Sequence, residues 1–269
     1  VLGNQNVFKI WVLLSVFNRA VSQRSNRMRF LALATDYDGT LAHNGIPGAD
    51  ALDALRELKG SGRRLILVTG RMLADLLTGF AEVELFDGVV VENGAVLYDP
   101  FRHTSRVLAP PPPPEFVAAL RARRVEQLAI GESIVATHEL YEHVVRDAIR
   151  ELGLDLAVIL NKGAVMVLPS NVDKATGLAE QTNAFGLSLR NVAGIGDAEN
   201  DIAFLTRCGT AAAPANALDS VKAACDFVTR GDHSQAVAEF ARRILRDELA
   251  DIASVDARFA AESSVLGMT

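Results

Sequence analysis

Apolar runs of four to six residues that end abruptly at polar ones set the fold class of this chain. Phe30–Thr35 stops at Asp36, Leu65–Thr69 gives way to Gly70-Arg71, and Val192–Ile195 stops at Gly196-Asp197. Runs this short and this continuously apolar read as buried strands. Between them, Leu52, Leu55 and Leu58 recur at helical spacing before Gly60-Ser61-Gly62 ends the helix, and Met72–Phe80 predicts another. Gly88–Val91 and Ala95–Tyr98 predict strands around the turn Asn93-Gly94. Farther on, Asp173 is placed to cap a helix running to about Phe185, and Glu199–Arg207 and Ser234–Leu245 predict two more. Thr210–Ala213 and Phe227–Thr229 predict short strands. Strands alternating with helices predict an α/β fold, a doubly wound, Rossmann-like parallel sheet covered on both faces.

That rhythm is interrupted once. Pro110–Pro114 is a run of five prolines, which favours stiff polyproline II and reads as a spacer. Behind it come a helix (Glu115–Arg124), a strand (Ser133–His138), a helix (Leu140–Leu152) and two strands (Leu156–Leu160, Ala164–Leu168) joined by the turn Asn161-Lys162-Gly163. The expected organisation is a core of residues 28–109 and 170–250 carrying an inserted small α+β unit, 110–169. Residues 251–269 have weak periodicity and read as a loose tail.

Residues 1–27 differ from the rest. They contain Lys9, Arg19, Arg24 and Arg27 and no acidic residue, so without them the formal charge falls from −6 to −10. Their apolar run Val7–Phe17 is shorter than the roughly 20 residues a bilayer span needs. They are expected to be an extension outside the working fold, from a mis-called start or a presequence. An acidic chain with no dense basic block is a poor match to nucleic acid. Neither a nucleic-acid partner nor a membrane is expected. Cys208 and Cys225 form no C-x-x-C pair and read as small apolar residues in a reducing compartment, the cytoplasm.

Four segments carry chemistry: Asp36-Tyr37-Asp38-Gly39-Thr40, Val68-Thr69-Gly70-Arg71, Lys174, and Gly196-Asp197-Ala198-Glu199-Asn200-Asp201. Three come directly after an apolar strand and the fourth opens a helix, so an open α/β sheet gathers them at its carboxyl edge, where ligands bind. Asp36, Asp38, Asp197 and Asp201 in one cleft call for a cation, and oxygen ligands without His or Cys suit magnesium. Lys174 and the hydroxyl and N–H groups around Thr69 suit an anion. Carboxylates, a hard cation, a lysine and a hydroxyl together make a phosphoryl site.

In this order, D-Y-D-G-T, V-T-G-R, a lysine before a helix and G-D-A-E-N-D resemble the four motifs of the haloacid dehalogenase superfamily over roughly residues 28–247. The inserted unit resembles the type-two (C2) cap of subfamily IIB, the Cof-like and sucrose-phosphatase-like branch. The resemblance implies a magnesium-dependent phosphatase of a small phosphomonoester, a sugar phosphate or a phosphoglycolate-like molecule. It implies Asp36 as the nucleophile that becomes an aspartyl-phosphate and Asp38 as the acid and base. Phosphate would be held by Thr69, Gly70, Lys174 and Asn200. The metal would be held by Asp36, the Asp38 carbonyl, Asp197 and Asp201. Arg71 divides between phosphate contact and an ion pair, and Asn93 between a plain hairpin turn and the substrate. His138 and Lys162 of the inserted unit are candidates to read the leaving group. A phosphomutase shares these motifs but returns phosphate to a sugar. A non-catalytic binding module would be expected to have lost one of the charged residues.

Overall fold

The structure is a computed structural model and describes residues 28–249. The expectations for residues 1–27 and 251–269 lie outside it. In chain order the strands are β1 (Ala32–Asp36), β2 (Ala42–His43), β3 (Ile46–Pro47), β4 (Arg64–Val68), β5 (Gly88–Val91), β6 (Val96–Asp99), β7 (Thr104–Val107), β8 (Ala129–Ile130), β9 (Val135–His138), β10 (Leu156–Asn161), β11 (Ala164–Pro169), β12 (Val192–Ile195), β13 (Thr210–Ala213) and β14 (Phe227–Val228). The helices are α1 (Ala49–Gly60), α2 (Leu73–Gly79), α3 (Pro114–Ala122), α4 (Glu142–Glu151), α5 (Lys174–Ala184), α6 (Ile202–Leu205), α7 (Asp219–Ala224) and α8 (His233–Asp247).

The large sheet has the order β14-β13-β12-β1-β4-β5-β6-β7. Its strands from β14 to β5 are mutually parallel, and β6 and β7 add an antiparallel margin. Residues alternate between two cores, as strand geometry requires. Leu33, Leu65, Leu67, Val89 and Val91 face α1 and α8, while Ala32, Ala34, Ile66, Val68 and Val90 face α5, α6 and α7. The α/β expectation therefore holds, and Cys208 is buried in the second of these cores. Among the described residues no helix is long and apolar enough to cross a membrane.

A second sheet, antiparallel and ordered β10-β11-β9-β8, lies between β7 and α5 in the chain. Its pleat also sorts two faces. Leu156, Val158, Val165 and Val167 pack on Phe116 and Leu120 of α3 and Val145 and Ala148 of α4. The alternate residues Ala157, Ile159 and Leu168 belong instead to the apolar cluster of the large domain. The prolines end inside a helix: Pro114 is the first residue of α3, where a missing N–H costs nothing. The predicted helix over 199–207 is a three-residue 3-10 turn, Glu199–Asp201, followed by the four residues of α6.

One buried acid joins the two sheets. Glu92, in the left-handed region at φ +54°, comes directly after β5 and is 1% exposed. Its carboxylate accepts the N–H groups of Glu132 (3.0 Å), Ser133 (2.7 Å) and Ile134 (3.1 Å), at the entry to β9. Removing the acceptor strands the buried N–H groups of Ser133 and Ile134 and the half-buried one of Glu132, the buried ones each worth roughly 1–3 kcal/mol. Glu92→Ala is expected to lower stability by about 3 kcal/mol or to split unfolding into two transitions. Urea denaturation read out separately in the two units checks this; a loss under about 0.5 kcal/mol with one unchanged transition would reject the clamp.

Candidate active site

Register gathers the site. β1 lies between β12 and β4, with Thr35 opposite Ile195 and Asp36 opposite Val68. Neighbouring strands lie about 4.8 Å apart. The segments after Asp36, Val68 and Ile195 therefore emerge side by side at one edge.

Lys174, the first residue of α5, meets Asp36 at this edge. Asp173 caps the helix: its carboxylate accepts the Thr176 N–H (2.7 Å), and the Thr176 hydroxyl accepts the Asp173 N–H (3.0 Å). The helix can come this close because Gly94, at φ +102°, lies against the Asp173 carbonyl, where a Cβ would collide. Lys174 is 2% exposed and its Nζ donates to Asp36 Oδ1 and Asp201 Oδ1, both at 2.6 Å. Burial alone would pull its pKa down, but the charges of Asp201 and Asp36 outweigh that and hold it above the ordinary lysine value.

Asp201 has no exposed surface, and its other oxygen, Oδ2, accepts the N–H groups of Asp197 (3.0 Å) and Ala198 (2.9 Å). It thus fixes the loop that presents Asp197. Asp197 Oδ1 accepts the Thr40 hydroxyl (2.9 Å). Asp36, Asp197 and Asp201 each offer a carboxylate oxygen, all within 4.8 Å of one another. The Asp38 carbonyl lies beside them, since one ammonium, that of Lys162, meets both Asp38 O and Asp197 Oδ2 (3.3 Å to the latter). Gly39, at φ +86°, lines the same cradle, and a Cβ there would run into the Asp197 carboxylate and the Lys162 ammonium. A set of carboxylate and carbonyl oxygens fits a hard divalent cation such as magnesium.

The remaining sequence candidates separate. Arg71 grips the Asp38 carboxylate with two bonds of 2.7 Å and lies over the Tyr37 ring, 4.7 Å from its centroid. Of its two readings, the ion pair is the one formed. Thr69 is buried and its hydroxyl accepts the Arg71 N–H (3.1 Å), which shapes the turn through Gly70. Asn93 is a turn residue and also buried: its Oδ1 accepts Asn200 Nδ2 (2.9 Å), and its Nδ2 points at Met166 Sδ of β11 (3.0 Å). Asn200 Oδ1 is buried without a hydrogen-bond partner among the described residues. His138 is exposed and its Nδ1 accepts the Leu140 N–H (3.3 Å), so its ring is engaged by its own turn. Glu92, which ties the second unit to the site's edge, was not among the sequence candidates. A charged residue closing the apolar run 88–91 was its one signal.

The surroundings of Asp36 set it against ionisation. Burial and then the Asp201 charge push Asp36 up from 3.8 to about 8, with Lys174 opposing and Asp197 adding to the rise. From about pH 4 to about pH 8 the folded protein keeps a proton that the unfolded chain has lost, so stability falls as pH rises through that window. In chelator, wild-type unfolding free energy should decline between pH 5 and pH 8, and Asp36→Asn should remove most of the decline. At pH 8 the variant should be the more stable form, by an amount on the order of a few kcal/mol. Urea titrations across pH test this, and an equal slope in both proteins would refute the buried-charge account.

Known proteins resemble this chain in sequence and in fold. Residues 33–109 and 119–240 match the sequence model of the haloacid dehalogenase-like hydrolase family. The chain is 30% identical over 222 residues to a phosphoglycolate phosphatase of Methanothermobacter thermautotrophicus, covering 80% of this chain and 98% of that protein. A phosphoglycolate phosphatase of Sulfolobus acidocaldarius is 27% identical over 223 residues, covering 81% and 97%. The fold is shared with a solved sugar phosphatase of haloacid dehalogenase subclass IIB, with TM-score 0.64, 19% identity, and coverage of 79% and 98%.

Proposed function

Since the chain belongs to the haloacid dehalogenase-like hydrolases, we propose that it is a magnesium-dependent phosphatase. Its substrate is a small phosphomonoester, and its reaction passes through an aspartyl-phosphate on Asp36. The observation that carries this reading is the three-carboxylate cluster of Asp36, Asp197 and Asp201 built around one buried lysine. Such an arrangement is costly unless it serves a cation and an anion together.

Asp36, the Asp38 carbonyl and Asp197 would hold magnesium, with Asp201 bracing Asp197. When bound, the ion would neutralise phosphate charge and favour the ionised form of Asp36. Lys174 restrains the Asp36 carboxylate and offers its remaining donor capacity to the phosphoryl oxygens, joined by Thr69, Gly70 and Asn200. The Asn200 Oδ1 lacks a partner among the described residues, which leaves its amide ready to rearrange around a ligand. An Asp36 oxygen attacks phosphorus, and the bond to the leaving oxygen breaks. Asp38 gives that oxygen its proton. Asp38 then takes a proton from water, whose oxygen attacks the same phosphorus and frees Asp36 and inorganic phosphate. Arg71 orients Asp38 through both of its oxygens, so one of these two bonds opens when Asp38 holds and gives the proton.

The 110–169 unit is the cap, of the C2 kind. Its sheet covers the site with one apolar face, and its hairpin reaches Asp38 and Asp197 through Lys162. A closed seam of this kind suits a small leaving group, and cations on both sides of Asp38 suit an anionic one. Phosphoglycolate, the substrate named for two relatives, has that chemistry. Phosphate release from phosphoglycolate and from a set of sugar phosphates, with magnesium or with chelator, tests the reading. Magnesium-dependent release that falls at least about 10³-fold in Asp36→Asn is the expected result. Transfer of phosphate between sugar positions without release would replace the phosphatase with a mutase.

A further inference from the structure

The cap hairpin ends in a two-residue turn, with Asn161 opposite Ala164 and Lys162-Gly163 between them. Both turn residues have positive φ, +49° and +83°, the geometry of the tight hairpin turn in which Asn and Gly are at ease. A lysine in the left-handed region costs on the order of 1 kcal/mol, so turn preference does not account for it. Its side chain is 45% exposed, and its ammonium reaches across to Asp38 O and Asp197 Oδ2. These are two of the oxygens assigned above to the metal. Two cations cannot use the same pair of oxygens at contact distance.

Charge favours the exchange. Once Asp36 is ionised, the form a bound cation favours, three clustered carboxylates face Lys174 and Lys162, which leaves one negative charge unmatched. A divalent ion in place of the Lys162 ammonium makes the balance even.

Resting on the metal seat argued above, we propose that Lys162 is a tethered counter-cation of that seat. Its ammonium and the divalent ion compete for the Asp38 carbonyl and the Asp197 carboxylate. Metal entry and release of the hairpin tip from the core are then one event, and the freed ammonium is left at the mouth of the site. The device needs no change in the core, because the exposed stem lets the head swing away by side-chain rotation.

The test uses the full chain and magnesium chloride alone. Calorimetry compares magnesium affinity in wild type and Lys162→Met, which keeps the length and apolar stem without the charge. Labelling of the Lys162 amine by an acylating reagent, read by peptide mass spectrometry with and without magnesium, tracks the head group directly. Loss of one ion pair predicts about fivefold tighter magnesium binding in the variant. Magnesium should also accelerate labelling of Lys162 in wild type. If both proteins bind magnesium equally and labelling does not respond, the shared seat is refuted while the phosphatase reading stands. If neither binds magnesium, the metal seat itself is wrong and this inference falls with it.

Discussion

A lysine buried between two aspartates is the constraint on which the rest of this molecule depends. Lys174 sits at 2% exposure because its ammonium donates to both Asp36 and Asp201, and an ammonium left without a partner at that depth would be costly. Each member comes from a different part of the fold: the end of β1, the start of α5 and the loop after β12. The ionic cluster therefore forms only when β1 is central, the register is right and α5 is docked. Gly94 and the capping box at Asp173 set how closely that helix can come. Local choices in the chain thus serve one charge arrangement, and Asp201 extends it by holding the backbone that carries Asp197.

The second sheet poses a different physical problem. A small antiparallel sheet with one face on its own helices normally leaves the other in water. Here both faces are apolar, and the outer one joins the large cluster through Ala157, Ile159 and Leu168. The seam is pinned by polar contacts at its two ends, the Glu92 carboxylate on three backbone N–H groups and the Lys162 ammonium on the site. These ends differ in kind. The Glu92 end is buried, dry and made to backbone, whereas the Lys162 end is a long, half-exposed side chain on exchangeable oxygens.

Short apolar runs, and the polar residues that end them, carried most of the legible signal in the sequence. β1, β4, β5 and β12, and the residues at their carboxyl ends, were legible because a buried parallel strand must be apolar throughout and must stop where chemistry begins. The β10–β11 hairpin was legible from its turn. β2, β3, β7 and β8 were not. They are short or fully exposed, so no burial pattern marks them. α7 was missed as well, a single turn and a half with Val221 as its buried residue. Long-range polar pairs were out of reach for another reason. Periodicity says which face a residue occupies, not which distant backbone it meets, so Glu92 with residues 132–134 and Lys162 with Asp38 needed coordinates. Arg71 shows the limit within a motif, since an arginine beside an anion site suits a phosphate and a carboxylate equally until its partner is seen.

Asp38 is where these threads meet. Its carboxylate is held by a core arginine packed over an aromatic ring, and its carbonyl is met by a cap lysine on a flexible stem. The arginine contact is bidentate and planar, so it orients the carboxylate. The lysine contact is a point charge and can exchange with any cation that reaches the same oxygens. One residue therefore receives a planar, two-bond partner from the unit of the large sheet and a single-point partner from the hairpin of the second sheet.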